Sequence, residues 1–344
     1  MKKILPMSAL LIFALRIYAQ DSSSRADSVL FITADMLAWC DNLEFFNDYR
    51  EGYLHLGAYV RPRFEVRPSE RFSFAFGVHV RKAFGDEDFF SDARPVFRGR
   101  INRGNFSFLL GEVISANRHG LPDALMREEF LYDPAIEEGF QFLYKGKTVQ
   151  QDFWAVYDAL NTAEHREHLM AGNNTTMHAG PFAMLVLLYA DHYGGQVFAP
   201  EGDPVRENVA GGGGISWKLD FKNVVNQVGL KTLGMASATS RENAGYDKGW
   251  GSLSYAWISA WDTRFQLSFF KGKDFVAWQG NPMYQTGSPY VTFAVNRTTE
   301  LISRLSVDYG IRADFMSGSV SEYFESPEHK LWVRIGYAFE HLLK

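Results

Sequence analysis

Seven of the eight arginines between positions 61 and 100, Arg61, Arg63, Arg71, Arg81, Arg94, Arg98 and Arg100, fall on the polar side of an alternating pattern, with His55 and His79 beside them. A guanidinium stays charged and can clamp a carboxylate or phosphate with two parallel hydrogen bonds. Gathered on one wall of a narrow aqueous passage, such groups raise the local concentration of anions and orient polar solutes. Arg61, Arg63, Arg81, Arg94, Arg98 and His79 are therefore expected to line a pore. The competing reading pairs them with inward carboxylates such as Glu65, which makes them a structural network.

The longest loop, Ile114 to Ile136, carries Asp123, Glu128, Glu129 and Asp133, a candidate acidic constriction facing the basic wall. It either folds inward or lies over the mouth. Other constellations carry less. Glu164-His165-Arg166-Glu167-His168 matches no zinc-binding spacing, and His165 and His168 would point to opposite faces of a strand. Asp191 and His192 are adjacent, so they diverge as well. Gly211 to Gly214 precedes no Lys-Ser or Lys-Thr and no helix, and reads as the flexible start of a strand. No serine-asparagine pairing of an outer-membrane phospholipase kind is found. The expectation is of no catalytic, cofactor or metal site, hence not an enzyme.

These side chains need elements to carry them, and the pattern of those elements is alternation. From Leu54 to Val66, Leu54, Leu56, Ala58, Val60, Phe64 and Val66 share one face, while His55, Tyr59, Arg61, Arg63 and Glu65 share the other. After Arg67-Pro68-Ser69-Glu70 the pattern resumes with Phe72, Phe74, Phe76, Val78 and Val80 against Arg71, Ser73, His79 and Arg81. A strand between lipid and water switches polarity in this way at every residue. Segments of this kind fall near 28–39, 53–66, 71–82, 93–101, 105–112, 138–144, 148–156, 167–177, 182–192, 212–221, 225–236, 249–260, 264–271, 288–296, 301–314 and 329–340. That predicts an all-β, antiparallel transmembrane barrel of about sixteen strands. Weak alternation over 138–192 leaves fourteen or eighteen open. Connections alternate between short turns and longer loops rich in Gly, Asp and Asn, as in bacterial barrels. A soluble β-sandwich also alternates, but rarely uses so many strands in one unit.

Lys2 and Lys3, the apolar stretch Ile4 to Leu15 and the small residue Ala19 read as a signal peptide over 1–19, leaving a barrel over 20–344. Removing Lys2, Lys3 and Arg16 takes 35 basic residues to 32, against 40 acidic ones, so the basic wall stands out against an acidic chain. Only Cys40 is a cysteine, which rules out an intrachain disulfide. Aromatic residues make up 15% and apolar residues only 46%; no apolar run reaches the roughly 20 residues of a spanning helix.

In strand number, in the position of its long loop after the fifth strand and in its arginine wall, the chain resembles the general porins of Gram-negative bacteria. The last strand, in which Leu331, Val333, Ile335, Tyr337 and Phe339 alternate with Trp332, Arg334 and Glu340, resembles the terminal strand by which such barrels are recognised for assembly; the tail His341-Leu342-Leu343-Lys344 departs from it. The resemblance implies a passive outer-membrane channel for small polar or anionic solutes, with no cofactor and no nucleic acid. Outer-membrane lipid and the barrel assembly machinery would be its partners, and a homotrimer its candidate assembly. Alternatives are an anionic polysaccharide export channel, which the basic wall also suits, a plugged structural or adhesive barrel, and a barrel enzyme.

Overall fold

With no water in a bilayer to accept their hydrogen bonds, strands can cross it only if every edge is paired, so the sheet must close. In the computed structural model, which describes residues 29–46, 51–133, 136–198, 205–240, 245–285, 287, 289–316 and 328–343, sixteen antiparallel strands do so, the first pairing with both the second and the last. They are β1 (Val29–Glu44), β2 (Tyr53–Ser69), β3 (Phe72–Ala83), β4 (Asp92–Arg103), β5 (Phe106–Glu112), β6 (Glu138–Lys145), β7 (Val149–Ala159) and β8 (His168–Ala179). The second half comprises β9 (Phe182–Tyr193), β10 (Arg206–Asp220), β11 (Val225–Ser240), β12 (Tyr246–Ala260), β13 (Thr263–Lys273), β14 (Tyr290–Ile302), β15 (Leu305–Met316) and β16 (Glu328–Leu343). The expected signal peptide at 1–19 lies outside the described residues. Among those residues no helix is long and apolar enough to cross a membrane.

Two boundaries differ from the sequence pattern for physical reasons. β10 starts at Arg206, so Gly211 to Gly214 lie mid-strand instead of opening it; a side chain at Gly212 would strike the Gly234 carbonyl of the neighbouring strand. β14 runs through the polar stretch from Arg297 to Glu300 because that stretch is paired: Thr298 Oγ1 donates to Asp308 Oδ1 on β15 at 2.8 Å. The turn falls instead at Arg304, whose φ of 69° is left-handed.

The ends of the barrel are unlike. Val29 pairs with Arg67 and Leu30 with Leu343, which puts the first and last strand ends beside the short turns; the long connections lie at the opposite, loop end. Outward residues are exposed and apolar: Phe76 lies opposite Phe64 and Phe97, with Val78 and Phe74 on the same face. Such a face suits only lipid.

Inside, the loop-end half is filled. The chain between β5 and β6 turns into the lumen and buries Leu121, Leu125, Met126 and Phe130, and the chain between β13 and β14 does the same with Phe275, Ala277 and Met283. Both pack on inward side chains including Trp154, Leu187, Tyr189, Leu233 and Phe270. Each fully buried Leu, Met or Phe stabilises this arrangement by about 1.5–3 kcal/mol, more than a solvated loop of the same length gains. The two segments are also joined to each other. Arg127 N donates to Gln279 O at 2.8 Å and Asn281 N to Asp123 O at 2.9 Å, while a Cβ on Gly280 would collide with the Ala124 carbonyl. Every strand adds at least one buried inward side chain to this belt, from Trp39 and Asp41 on β1 to Lys330 and Arg334 on β16. The turn-end half is polar and hollow.

The lipid face is tested by depth. Val78→Arg should cost about 2–4 kcal/mol near the bilayer midplane, and Phe74→Arg, closer to the turns, distinctly less. Urea unfolding of the barrel in lipid vesicles measures both, and equal, small losses would show that this face does not lie in hydrocarbon.

Candidate functional site

β2, β3 and β4 place the basic residues by strict alternation: Arg61 and Arg63 on β2, His79 and Arg81 on β3, and Arg94 and Arg98 on β4 share the inward face. Their partners come from elsewhere. Arg61 Nη1 donates to Glu112 Oε1 at 2.6 Å, Arg63 donates to both oxygens of Glu112 at 2.6 and 2.9 Å, and Arg98 Nη2 lies 3.2 Å from Glu112 Oε2. Arg63 also reaches Asp35 on β1 at 2.7 Å. Glu112 is fully shielded from water.

Alternation alone would point Glu112 at lipid, since Leu109 and Gly111 precede it on the inward register. Gly111 reverses it. With φ at +94° and Phe97 so close that a Cβ would strike its carbonyl, this position takes only glycine, and it turns the next residue inward. The warning in the sequence was a charge falling on a lipid-facing position beside a glycine. Glu65, the expected partner of the arginines, is taken by Arg67 at 2.8 Å.

The four acidic residues of the inserted loop each meet a wall residue. Asp133 pairs with Arg81 at 3.2 Å, Glu128 with Lys330 at 2.9 Å and Arg334 at 3.6 Å, and Asp123 with Arg118 at 3.6 Å and Arg312 at 3.7 Å. Glu129 accepts a hydrogen bond from Tyr53. Arg94 holds Asp92 at 3.0 Å. Burial works against ionisation of Glu128, but the cations Lys330 and Arg334 outweigh it and hold its carboxyl well below the usual range. For Asp123 burial wins, reinforced by the Glu128 charge, and its pKa is raised.

Two histidine clusters escaped sequence reasoning because their members are distant in the chain. His119, on the inserted loop, sits between Asp152 at 2.9 Å and Glu137 at 3.0 Å and stacks on Trp154 at 4.3 Å. Burial pulls its pKa down, the two carboxylates outweigh that, and it is pushed up to about 9. It therefore remains an imidazolium at neutral pH. Arg118 and His119 are left-handed, at φ 52° and 53°, a strained geometry costing about 1 kcal/mol or more per residue and held by these contacts.

At the loop end of β8, His168 Nε2 meets Asp191 Oδ1 at 2.6 Å and Nδ1 meets Asp158 Oδ2 at 2.9 Å. Asp191, on β9, is fully shielded, accepts from Gln279 Nε2 at 2.9 Å and is bonded by Tyr189; the Tyr193 ring stacks on His168 at 4.0 Å. Asp158 is 43% exposed. The sequence presented His168 with Glu164 and His165, and Asp191 with His192; the register joins His168 to Asp191 instead. Among the described residues no group of three or more His, Cys, Asp or Glu is placed to hold a metal ion.

A family model described as lipid A 3'-O-deacylase-type matches residues 21–341. The chain belongs to that family. The expectation that it is not an enzyme is thereby corrected, since the family bears the name of an ester hydrolase. No curated protein matches the sequence.

Solved structures with this fold include an anion-selective porin and other outer-membrane proteins. An anion-selective porin from Comamonas acidovorans is 12% identical, with a TM-score of 0.53 over 91% of this chain and 99% of its own. OmpT of Vibrio cholerae lacking loop L8 is 9% identical, with a TM-score of 0.54 over 91% and 99%. OccAB2 of Acinetobacter baumannii is 9% identical, with a TM-score of 0.50 over 93% and 100%. The chain is thus a bacterial outer-membrane barrel of the porin architecture.

The Glu112 clamp is open to direct measurement. Glu112→Gln keeps the volume but leaves Arg61, Arg63 and Arg98 facing one another, and should cost about 3–5 kcal/mol, whereas Glu65→Gln at its half-exposed pair should cost no more than about 1 kcal/mol. Urea unfolding in vesicles compares the two, and equal losses would remove the clamp from the account.

Proposed function

We propose that the protein is an outer-membrane hydrolase that cleaves an acyl ester at the 3'-oxygen of lipid A, with its reacting groups at the loop end of the barrel around His168. The family match over nearly the whole described chain supports ester hydrolysis. The observation that carries the position of the site is the pairing of His168 with a shielded Asp191 on one ring nitrogen and an exposed Asp158 on the other. The loop end of a bacterial barrel faces the outside, and a lipid headgroup reaches this rim without entering the filled lumen.

The chemistry needs one free ring nitrogen. A substrate that draws the exposed Asp158 aside together with the Nδ1 proton, as the carboxylic acid, leaves Nδ1 with a free lone pair while Asp191 fixes the tautomer with the proton on Nε2. Nδ1 then takes a proton from water as the water oxygen attacks the acyl carbon. The proton passes to the 3'-oxygen as its bond to the acyl carbon breaks, giving a free carboxylic acid and a hydroxyl. Purified barrel incubated with lipid A should release one acyl chain, seen as the corresponding mass loss. His168→Asn and Asp191→Asn should slow that release by about 10²–10⁴-fold, with the barrel still showing its heat-dependent shift in gel mobility. Full activity in His168→Asn, or no acyl loss with the unaltered protein, refutes the reading.

A second reading, passage of small polar or anionic solutes, is favoured by the hollow turn-end half. There a cavity of about 610 Å³ is lined by Arg67, Arg100 and Lys145, with Glu65 and Glu70 and serine and asparagine side chains beside them. Under this reading the inserted loops withdraw to conduct, and the protein in a planar bilayer should show a reversal potential favouring anions. Arg100→Glu with Lys145→Glu should move it toward cations, most clearly at salt below about 0.1 M, where screening extends beyond about 10 Å. A bilayer that stays silent at every voltage removes this reading.

A further inference from the structure

Arg61, Arg63, Arg81, Arg94 and Arg98 on the arginine wall are answered by Glu112, Asp133 and Asp92, but two cations on the opposite wall have no carboxylate partner. Lys231 on β11 and Arg264 on β13 face the lumen below the packed belt, and both are half-buried. Among the described residues neither forms an ion pair. The nearest carboxylates on that wall are engaged: Asp220 pairs with Lys218 at 3.4 Å and Asp262 with Arg297 at 3.7 Å. Arg264 makes one side-chain hydrogen bond, Nη2 to Gln266 Oε1 at 3.0 Å, and its Nε has no partner.

What supports these cations is aromatic. The Arg264 guanidinium lies 4.5 Å from the centre of the Trp257 ring, and Lys231 Nζ lies 5.7 Å from that of Tyr255. Trp257 is fixed in turn: Nε1 donates to Gln227 Oε1 at 2.7 Å, and its ring occupies the space that a Cβ on Gly229 would need. The register sets Trp257 and Gln266 in the inward row between those of Lys231 and Arg264. Below opens a cavity of about 510 Å³ lined by Arg264, Gln227, Ser259, Asn296 and Thr298, with Asp220 and Asp262 also on its wall.

Two half-buried like charges without a carboxylate cost folding free energy, which a bound anion returns. We propose that Lys231, Arg264 and the polar side chains around this cavity form a binding site for a small oxyanion, a carboxylate or phosphate group entering from the turn end. Arg264 supplies a planar donor pair held flat by Trp257, Lys231 a point charge one row beyond that ring, and Ser259 and Asn296 the neutral donors. The site is independent of ester cleavage at the opposite end of the barrel.

Calorimetric titration of the full-length barrel in detergent, with inorganic phosphate in one arm and benzoate in the other, tests this and tells the two anion classes apart. Saturable binding is expected in at least one arm, weakened about tenfold by either Lys231→Met or Arg264→Gln, and suppressed in about 1 M salt, where screening falls to about 3 Å. Arg100→Gln, in the other hollow, should leave affinity unchanged. Because each substitution removes an unanswered charge, Arg264→Gln should raise the unfolding midpoint while lowering affinity, a pairing that a merely structural arginine does not give. No binding of either probe at about 10 mM, affinity untouched by Arg264→Gln, or equal loss in Arg100→Gln overturns the proposal.

Discussion

The inward turn of one carboxylate organises the interior of this barrel. Glu112 ends β5 on a residue that strand alternation would give to lipid, and Gly111 sends it instead into the grip of Arg61, Arg63 and Arg98. A charge there is tolerable only because three guanidiniums surround it. Once the chain has been drawn inside at that point, the segment that follows continues inward, and its apolar residues find the lumen-facing leucines, methionines and aromatics of the second half of the barrel. The filled belt, the placement of His119 and the union with the second inserted segment all follow from that turn.

The lumen divides into regions of different physics. Toward the loop end, dispersion and the hydrophobic effect dominate, and charge enters in matched pairs such as Asp41 with Arg334 or Glu128 with Lys330. Toward the turn end, polar side chains line two hollows. An ester hydrolase and a solute passage make different demands on such a body. Hydrolysis of a lipid needs only the rim, and a rigid filled belt beneath it is an asset, because a site built on fixed strands holds its geometry better than one on free loops. Passage needs the belt to yield.

Much of the architecture was legible in the sequence. Strict alternation along Leu54–Val66 and Phe72–Val80 fixed which side of the sheet each residue faces, and those faces are the ones found. Boundaries failed where composition and pairing disagree: glycine-rich 211–214 and polar 297–300 look like chain breaks, yet cross-strand contacts keep both in the sheet. Site partners were the least legible. His168 finds Asp191 through the register of β8 on β9, His119 finds Asp152 only because its loop enters the lumen, and Glu112 finds its arginines only by breaking alternation. Each depends on closure of the barrel, which no local spacing encodes.

The clip between the two inserted segments has a mechanical meaning. Backbone hydrogen bonds join Arg127 to Gln279 and Asn281 to Asp123, and the Gly280 to Ala124 approach leaves no room for even a methyl group. Neither segment can leave the lumen while the other stays without stranding buried amides, so the pair moves as one body or stays where it is. Any rearrangement of the interior therefore has to carry both segments together, as one body, instead of widening the lumen one segment at a time.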